Sequence, residues 1–179
     1  MSITTVGEKF VHDLSELYDA ELRFLDAQNV MFEQASKPQL KTMLAEHRAQ
    51  TRYQLENLER IFVSLGSGPI RGNNAAAAGL VEAGKLAMQA AQQSPGYCDC
   101  VIASAAGQVE HYEIACYRNL IATAERFQRS DFGEILRQNL AQEEQTAQKV
   151  EESYPSLLDD ALSTQKLQNT VGSAQPNFR

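Results

Sequence analysis

The sequence predicts an all-α protein: a four-helix bundle of two antiparallel hairpins, joined by a long crossover that carries an extra short helix. Apolar side chains recur at alternating steps of four and three residues in four long segments, which is the spacing of one helix face. The first two segments, and the last two, are separated by only a few residues, and such short links join antiparallel neighbours. Proline falls between the periodic segments or near the tail, at positions 38, 69, 95, 155 and 176.

The first hairpin is predicted from about Thr5 to Ala35 and from about Gln39 to Leu65, with residues 36–38 as the tight connection. The glycines and proline of residues 66–69 end the second helix. An alanine-rich segment from Ala75 to about Gln93 then predicts the extra helix within the crossover.

The second hairpin is predicted from about Cys98 to Phe127 and from Asp131 to about Tyr154. Asp131 is a suitable N-cap, and Pro155 is expected to end the last helix. This connectivity, with one long crossover between two hairpins, is that of ferritin-like bundles. The predicted fold class is therefore a ferritin-like four-helix bundle with an additional helix.

Composition predicts one helical domain over residues 1–160 and a polar, disordered or loosely attached tail over 161–179. The net charge of −7 and pI near 5.0 argue against nucleic-acid binding, because no basic stripe can neutralise phosphates. The first twenty residues mix charges into the apolar pattern, so we expect no leader or membrane span and a cytoplasmic protein. Three cysteines are too few for a disulfide framework.

Each apolar stripe is interrupted near its middle by a polar side chain that either can bind a metal ion or carries an amide group. The stripes run over residues 10–31, 40–65, 102–127 and 132–154, and the main interruptions are Glu21, His47, Thr51, Gln54, Glu113 and Glu143. These side chains point where a core should be, and a buried carboxylate is costly unless a charged or hydrogen-bonding group meets it. Several acids, a histidine and amides that converge in one bundle therefore predict a bound cation.

Counting from the two hairpin turns places these groups at matching depths, since each helical residue rises about 1.5 Å. Glu21 is matched with Gln50 in the first hairpin, and Glu113 with Glu143 in the second. Glu110 lies one turn before Glu113 on the same face. Carboxylates that can bridge, together with an imidazole, suit two iron or manganese ions better than a structural zinc.

Single residues leave other interpretations open. Glu21 can be paired with a buried Arg23 or Arg52, and His47 can be a core histidine bonded to a backbone carbonyl. Spacing does not decide whether Glu143 or Glu144 faces the core.

The same residues lie in four motifs: Leu17-Tyr18-Asp19-Ala20-Glu21, Glu46-His47-Arg48-Ala49-Gln50-Thr51 followed by Gln54, Gln108-Val109-Glu110-His111-Tyr112-Glu113-Ile114-Ala115, and Glu143-Glu144 with Thr146. Together these motifs resemble the YciE/YciF family of bacterial ferritin-like proteins. The resemblance covers roughly residues 10–158. The resemblance implies a rubrerythrin-like bundle, usually dimeric, with a di-metal centre and an association with bacterial stress responses. Family members often have Glu in the second motif where this chain has Gln50, whose amide oxygen can coordinate but brings no charge.

Two functions follow from these expectations. In the first, six residues hold two iron or manganese ions that act on peroxide or dioxygen; they are Glu21, His47, Gln50, Glu110, Glu113 and Glu143. Tyr18, one turn from Glu21, is a candidate hydrogen-bond donor to this site, or a packed core residue. In the second, the chain is a metal-free structural or interaction protein whose buried acids are satisfied by amides.

The expected partner is a second copy of the chain, with an unidentified redox partner in the first case. The homodimer is favoured by the family resemblance and by three apolar positions expected on the surface, Val30, Phe32 and Phe62.

Overall fold

The computed structural model describes residues 3–172, with side chains described for residues 3–166. Within that part of the chain all regular structure is helical. The helices are α1 (Val6–Gln34), α2 (Pro38–Ser64), α3 (Ala75–Ala91), α4 (Pro95–Arg126) and α5 (Ser130–Gly172). The helices α1 and α2 form one hairpin, α4 and α5 form the other, and α3 lies in the crossover against α1 and α4. The predicted all-α, ferritin-like bundle with an extra helix is confirmed.

Local signals in the sequence explain most helix ends. Thr5 and Glu8 form a reciprocal capping box at the start of α1. After α2 the chain turns at Gly66, whose φ of 80° is readily available only to glycine. Pro95 begins α4 three residues before the predicted start at Cys98, because proline is tolerated in the first helical turn, where no backbone donor is needed.

The prediction that the last helix ends at Tyr154 is wrong, because α5 continues through Pro155 to Gly172. Tertiary contacts with the start of α4 hold the continuation. Ala161 is buried there, and a Cβ at Gly96 would lie 3.2 Å from its Cα, so the two helices approach closely.

Polar contacts hold the same continuation of α5. The hydroxyl of Tyr97 donates to Gln165 at 2.7 Å, and Lys37 pairs with Asp160 at 2.6 Å. Residues 161–172, expected in a loose tail, therefore extend the helix, while residues 173–179 of that tail lie outside the described part. The division into a domain over 1–160 and a tail stays a prediction.

The crossover helix is attached to α1 by buried polar groups. Asn74 caps α3 by accepting from the backbone N–H of Ala77 at 2.9 Å. The backbone N–H of Asn74 donates to the buried carboxylate of Asp19 at 2.8 Å, and the guanidinium groups of Arg23 and Arg71 donate to the same carboxylate at 2.7 and 2.6 Å. The position of α3 is therefore defined by hydrogen bonds at its N-terminus as well as by apolar packing.

The apolar core lies in two main parts with a polar layer between them. One part includes Leu17, Leu58 and Leu120, and the other, toward the connection between α1 and α2, includes Met31 and Ile102. The polar layer falls near the middle of the helices, where the apolar stripes are interrupted.

Three apolar side chains were expected on the surface. Val30 is exposed as expected, but Phe62 is fully buried and packs edge-on against Tyr18, so its assignment to the surface is wrong. Phe32 is half-buried beneath the cationic groups of Lys41 and Arg48.

Among the described residues, none of the helices is long and apolar enough to cross a membrane.

Candidate metal centre

Five ionisable side chains from four helices meet in the polar layer. Glu21 comes from α1, His47 from α2, Glu110 and Glu113 from α4, and Glu143 from α5. Each is at most 3% exposed to solvent. Glu21, His47, Glu110 and Glu113 were predicted to face the core, and Glu143 was one of two alternatives with Glu144. The structure brings all five together.

Four of these residues form a compact group that can hold a metal ion. One ligand atom each from His47, Glu110, Glu113 and Glu143 lies within 4.8 Å of the other three. The imidazole Nε2 of His47 lies 3.0 Å from Oε1 of Glu110. Carboxylate oxygens with an imidazole nitrogen form a donor set suited to iron or manganese.

The cluster has too few hydrogen-bond partners for its polar atoms. Among the described side chains, nine buried nitrogen or oxygen atoms lack a partner, and eight of them belong to these five residues and Gln54. They include both oxygens of Glu143 and both ring nitrogens of His47, since Nε2 of His47 is close to Glu110 but not in hydrogen-bond geometry. Buried polar groups in proteins are normally satisfied, so the residues present fit a cation that would accept these lone pairs.

The acids of the cluster are shifted toward their protonated forms. Burial, together with the charge of Glu143, raises the pKa of Glu21 to about 8. Burial, together with the charge of Glu21, raises the pKa of Glu110 to about 8. Burial and then the charges of neighbouring acids raise the pKa of Glu113 and Glu143 well above its usual value. When protonated, Glu113 donates a hydrogen bond to Glu21, and Glu143 donates one to Glu110. Protons can therefore partly replace a metal ion in this cluster.

Gln50 differs from the other five predicted ligands. It is half-buried, and its amide oxygen accepts from the hydroxyl of Thr146 on α5 at 3.3 Å. Gln54, one turn later on α2, is fully buried beside Glu143 and has an amide oxygen without a partner. Of the two amide side chains of α2, Gln54 is therefore better placed than Gln50 to coordinate a metal ion. The ligand assignments themselves stay predictions.

The structure decides the alternatives that spacing left open. Glu143 is buried, whereas Glu144 is exposed and pairs with Arg118 at 2.7 Å. Arg23 pairs with Asp19 rather than with Glu21. Within the described part of the chain, no backbone carbonyl accepts a hydrogen bond from either ring nitrogen of His47.

Sequence reasoning missed a chain of buried hydrogen bonds that begins at Glu21. The hydroxyl of Tyr117 donates to Oε1 of Glu21 and accepts from the amide of Asn139 at 3.0 Å. Asn139 in turn accepts from Asn57 at 2.7 Å, and Asn57 accepts from the exposed Arg60 at 3.1 Å. Tyr117, Asn139 and Asn57 are fully buried.

Helical spacing contained a signal for these residues. Tyr117 comes four residues after Glu113, and Asn139 comes four residues before Glu143, so each lies on the ligand face. Tyr18, the tyrosine expected near the site, instead donates to Glu59 at 2.7 Å.

A narrow apolar cavity of about 10 Å³ borders His47 and Glu110. Its other walls include Phe24, Met31 and Val109. Such a volume accommodates about one molecule of the size of water.

A family model described as a domain of unknown function, DUF892, matches residues 5–163. The chain belongs to this family. The protein YciF of Escherichia coli strain K12 is 27% identical over 147 residues, which cover 82% of this chain and 88% of YciF. The expected membership in the YciE/YciF group is thereby confirmed.

Two solved structures extend the comparison. The structure of the E. coli stress protein YciF aligns with a TM-score of 0.82 and 25% identity over 88% of this chain and 99% of that one. YcfI of Rhodopseudomonas palustris, described as a candidate structural protein, aligns with a TM-score of 0.80 and 32% identity, covering 84% of this chain and 95% of that one. The family thus includes a stress protein of the same helical fold.

Proposed function

We propose that the bundle core binds two divalent iron or manganese ions and that the loaded protein acts on peroxide or dioxygen in a bacterial stress response. The observation that carries this proposal is the convergence of partnerless buried atoms from four helices on one point. The stress-protein description of the related YciF supports the physiological setting.

Charge balance favours two ions over one. Glu21, Glu110, Glu113 and Glu143 carry four negative charges when ionised, and His47 is the one nitrogen donor of the cluster. Two divalent cations neutralise four carboxylates, whereas one ion leaves two buried charges that only protons can remove.

The protein's own contribution is to fix and enclose the ligands. Rigid helices hold the carboxylates, and the apolar residues above and below exclude water from them. Bound ions of this kind supply the redox and Lewis-acid chemistry that side chains lack. The small cavity beside His47 and Glu110 has room for about one molecule of the size of water.

Two adjacent glutamates provide the test. Protein stripped with chelator and loaded anaerobically with Fe²⁺ or Mn²⁺ is expected to bind about two ions per chain and to melt at a higher temperature. The Glu143→Gln variant, which alters a buried acid, is expected to lose most of this binding, while Glu144→Gln at the exposed neighbour keeps it. Binding of less than about half an ion per chain would reject the proposal.

The chemical part of the proposal needs its own measurement. Iron-loaded protein is expected to consume hydrogen peroxide faster than the same amount of free iron, and Glu143→Gln is expected to remove the difference. Consumption equal to that of free iron would restrict the function to metal binding.

A metal-free structural role is the second candidate. It is favoured by the description of YcfI and by the hydrogen bonds that buried amides make around the cluster, such as Gln54 to Gln142 at 3.0 Å. In that case added Fe²⁺ or Mn²⁺ leaves the melting temperature unchanged, whereas the metal-binding proposal requires an increase.

The homodimer expected from the sequence belongs to the same proposal. Exposed apolar side chains that support a partner surface include Val30 on α1 and three residues spaced by four on α5, Tyr154, Leu158 and Leu162. Light scattering coupled to size-exclusion chromatography measures the oligomeric state directly, and a mass of one chain would reject the dimer.

A further inference from the structure

The candidate ligands are not arranged symmetrically. His47, Glu110, Glu113 and Glu143 form the compact group, and Glu21 lies outside it. Glu21 is linked to the group through Glu113, with which it shares a hydrogen bond. Glu113 is thus the carboxylate that belongs to both sides of the cluster and is suited to bridge two ions.

The nitrogen donor belongs to the compact group. His47 lies against Glu110, 3.0 Å away, and is the single imidazole of the cluster. The other two histidines are outside it: His111 is exposed and pairs with Glu151, and His12 contacts Asp13. A cation beside Glu21 would therefore have carboxylate oxygens as its donors, including the partnerless Oε2 of Glu21.

The Glu21 side is constrained by Tyr117. Its hydroxyl donates to Oε1 of Glu21, so that Oε2 is the oxygen left without a partner. Asn139 holds the phenol oxygen, and Asn57 holds Asn139, so the orientation of Tyr117 is determined by fully buried groups. Such outer partners orient metal ligands, and their loss typically weakens metal binding about 10- to 100-fold.

We propose that the two metal positions are unequal: a tight position formed by His47, Glu110, Glu113 and Glu143, and a weaker, oxygen-only position at Glu21 that Tyr117 organises. Tyr117 is a positioning residue here, because it acts through Glu21. The inference rests on the proposed function, since it requires that the cluster binds cations.

The test is a calorimetric titration of Mn²⁺ into the chelator-treated full chain. Two binding steps are expected, separated by about tenfold or more in affinity. Pulsed electron paramagnetic resonance of the protein with one equivalent of Mn²⁺ is expected to show coupling to an imidazole nitrogen. His47→Ala removes that coupling and weakens the first step about 100-fold.

Two variants address the second position. Glu21→Gln keeps an acceptor for Tyr117 and is expected to abolish the second step while the first keeps its affinity. Tyr117→Phe is expected to weaken the second step about tenfold and to leave the first unchanged. The matched control is Tyr112→Phe, which removes the hydroxyl of another α4 tyrosine that bonds Asn74 outside the cluster and should alter neither step.

Thermal unfolding in chelator shows whether each variant is folded. If Tyr117→Phe is unfolded, Glu21→Gln, which keeps a polar side chain of the same shape, still tests the second position. Two ions that bind in one step, or a single ion that His47→Ala removes, would overturn the inference and leave cation binding intact. Equal weakening of both steps in Tyr117→Phe would also overturn it, because a general loss of packing explains that result. Absence of any Mn²⁺ or Fe²⁺ binding would instead overturn the proposed function.

Discussion

Two buried acids on α1, only two residues apart, are treated in opposite ways. Asp19 and Glu21 are both fully buried. Asp19 receives hydrogen bonds from Arg23, Arg71 and the backbone of Asn74. Burial alone would raise the pKa of Asp19, but the hydrogen bonds from the two arginines hold it below its usual value. At Glu21 burial prevails, and the pKa rises to about 8.

The difference shows that this chain can place cationic side chains beside a buried carboxylate where the fold requires an ion pair. Asp19, which attaches the crossover to α1, forms ion pairs with Arg23 and Arg71. The cluster that includes Glu21 contains four acids and one histidine, and within the described part of the chain no Lys or Arg bonds to it. A buried acidic group that the protein leaves without positive charge is costly to folding. This contrast supports the proposal that a cation from outside the chain balances the cluster.

The largest expected effect is on the pH dependence of stability in the metal-free protein. Glu21 and Glu110 have folded-state pKa values of about 8, above the usual 4.5, so the folded state holds protons that the unfolded state releases. The contribution of these two groups to the free energy of unfolding is therefore greatest below about pH 4.5. It falls by several kcal/mol as the pH rises to about 8. Urea unfolding in chelator at each pH measures it.

Saturating Mn²⁺ is the control for that prediction. Metal binds the deprotonated acids, so added Mn²⁺ should stabilise the protein more at pH 8 than at pH 5. A metal-free stability that rises steadily from pH 5 to pH 8 would contradict the assigned pKa shifts.

The next effect separates Asp19 from the cluster. Asp19→Asn removes the charge that meets Arg23 and Arg71, so we expect the free energy of unfolding to fall by about 2 kcal/mol. The loss should be the same with and without Mn²⁺, since Asp19 is not part of the cluster. A loss that disappears on adding metal would contradict the separation of the two regions.

A smaller effect of opposite sign is expected at Glu113. Glu113→Gln replaces a buried acid with a neutral group of similar shape, so the metal-free protein at pH 8 should gain about 1 kcal/mol of stability. The same variant should no longer be stabilised by Mn²⁺. Loss of stability in chelator together with an unchanged response to metal would show that Glu113 has a purely structural role.

The smallest effect tests the two amides of α2. Gln50→Ala is expected to change metal affinity by less than about twofold, because Gln50 bonds Thr146, while Gln54→Ala weakens it about tenfold. Calorimetry compares the two variants directly, and the reverse order would restore Gln50 as the amide ligand.

Much of the fold was predictable because it depends on local periodicity and helix-end signals. The three-four spacing of apolar residues gave both hairpins, and the long segment between them gave the crossover helix. The continuation past Pro155 was not predictable, since its support comes from the contact of Ala161 with Gly96, 65 positions earlier in the chain.

The sequence by itself determined that Glu21, His47, Glu110 and Glu113 face the core, because the spacing of residues along a helix fixes which side of it they occupy. It left Glu143 and Glu144 as alternatives. Only the tertiary structure decided which of them meet, that Gln54 rather than Gln50 lies beside Glu143, and that Tyr117 holds Glu21. Those outcomes depend on the relative rotation and axial shift of packed helices. Small changes in either alter which atoms touch without altering the pattern along any one helix.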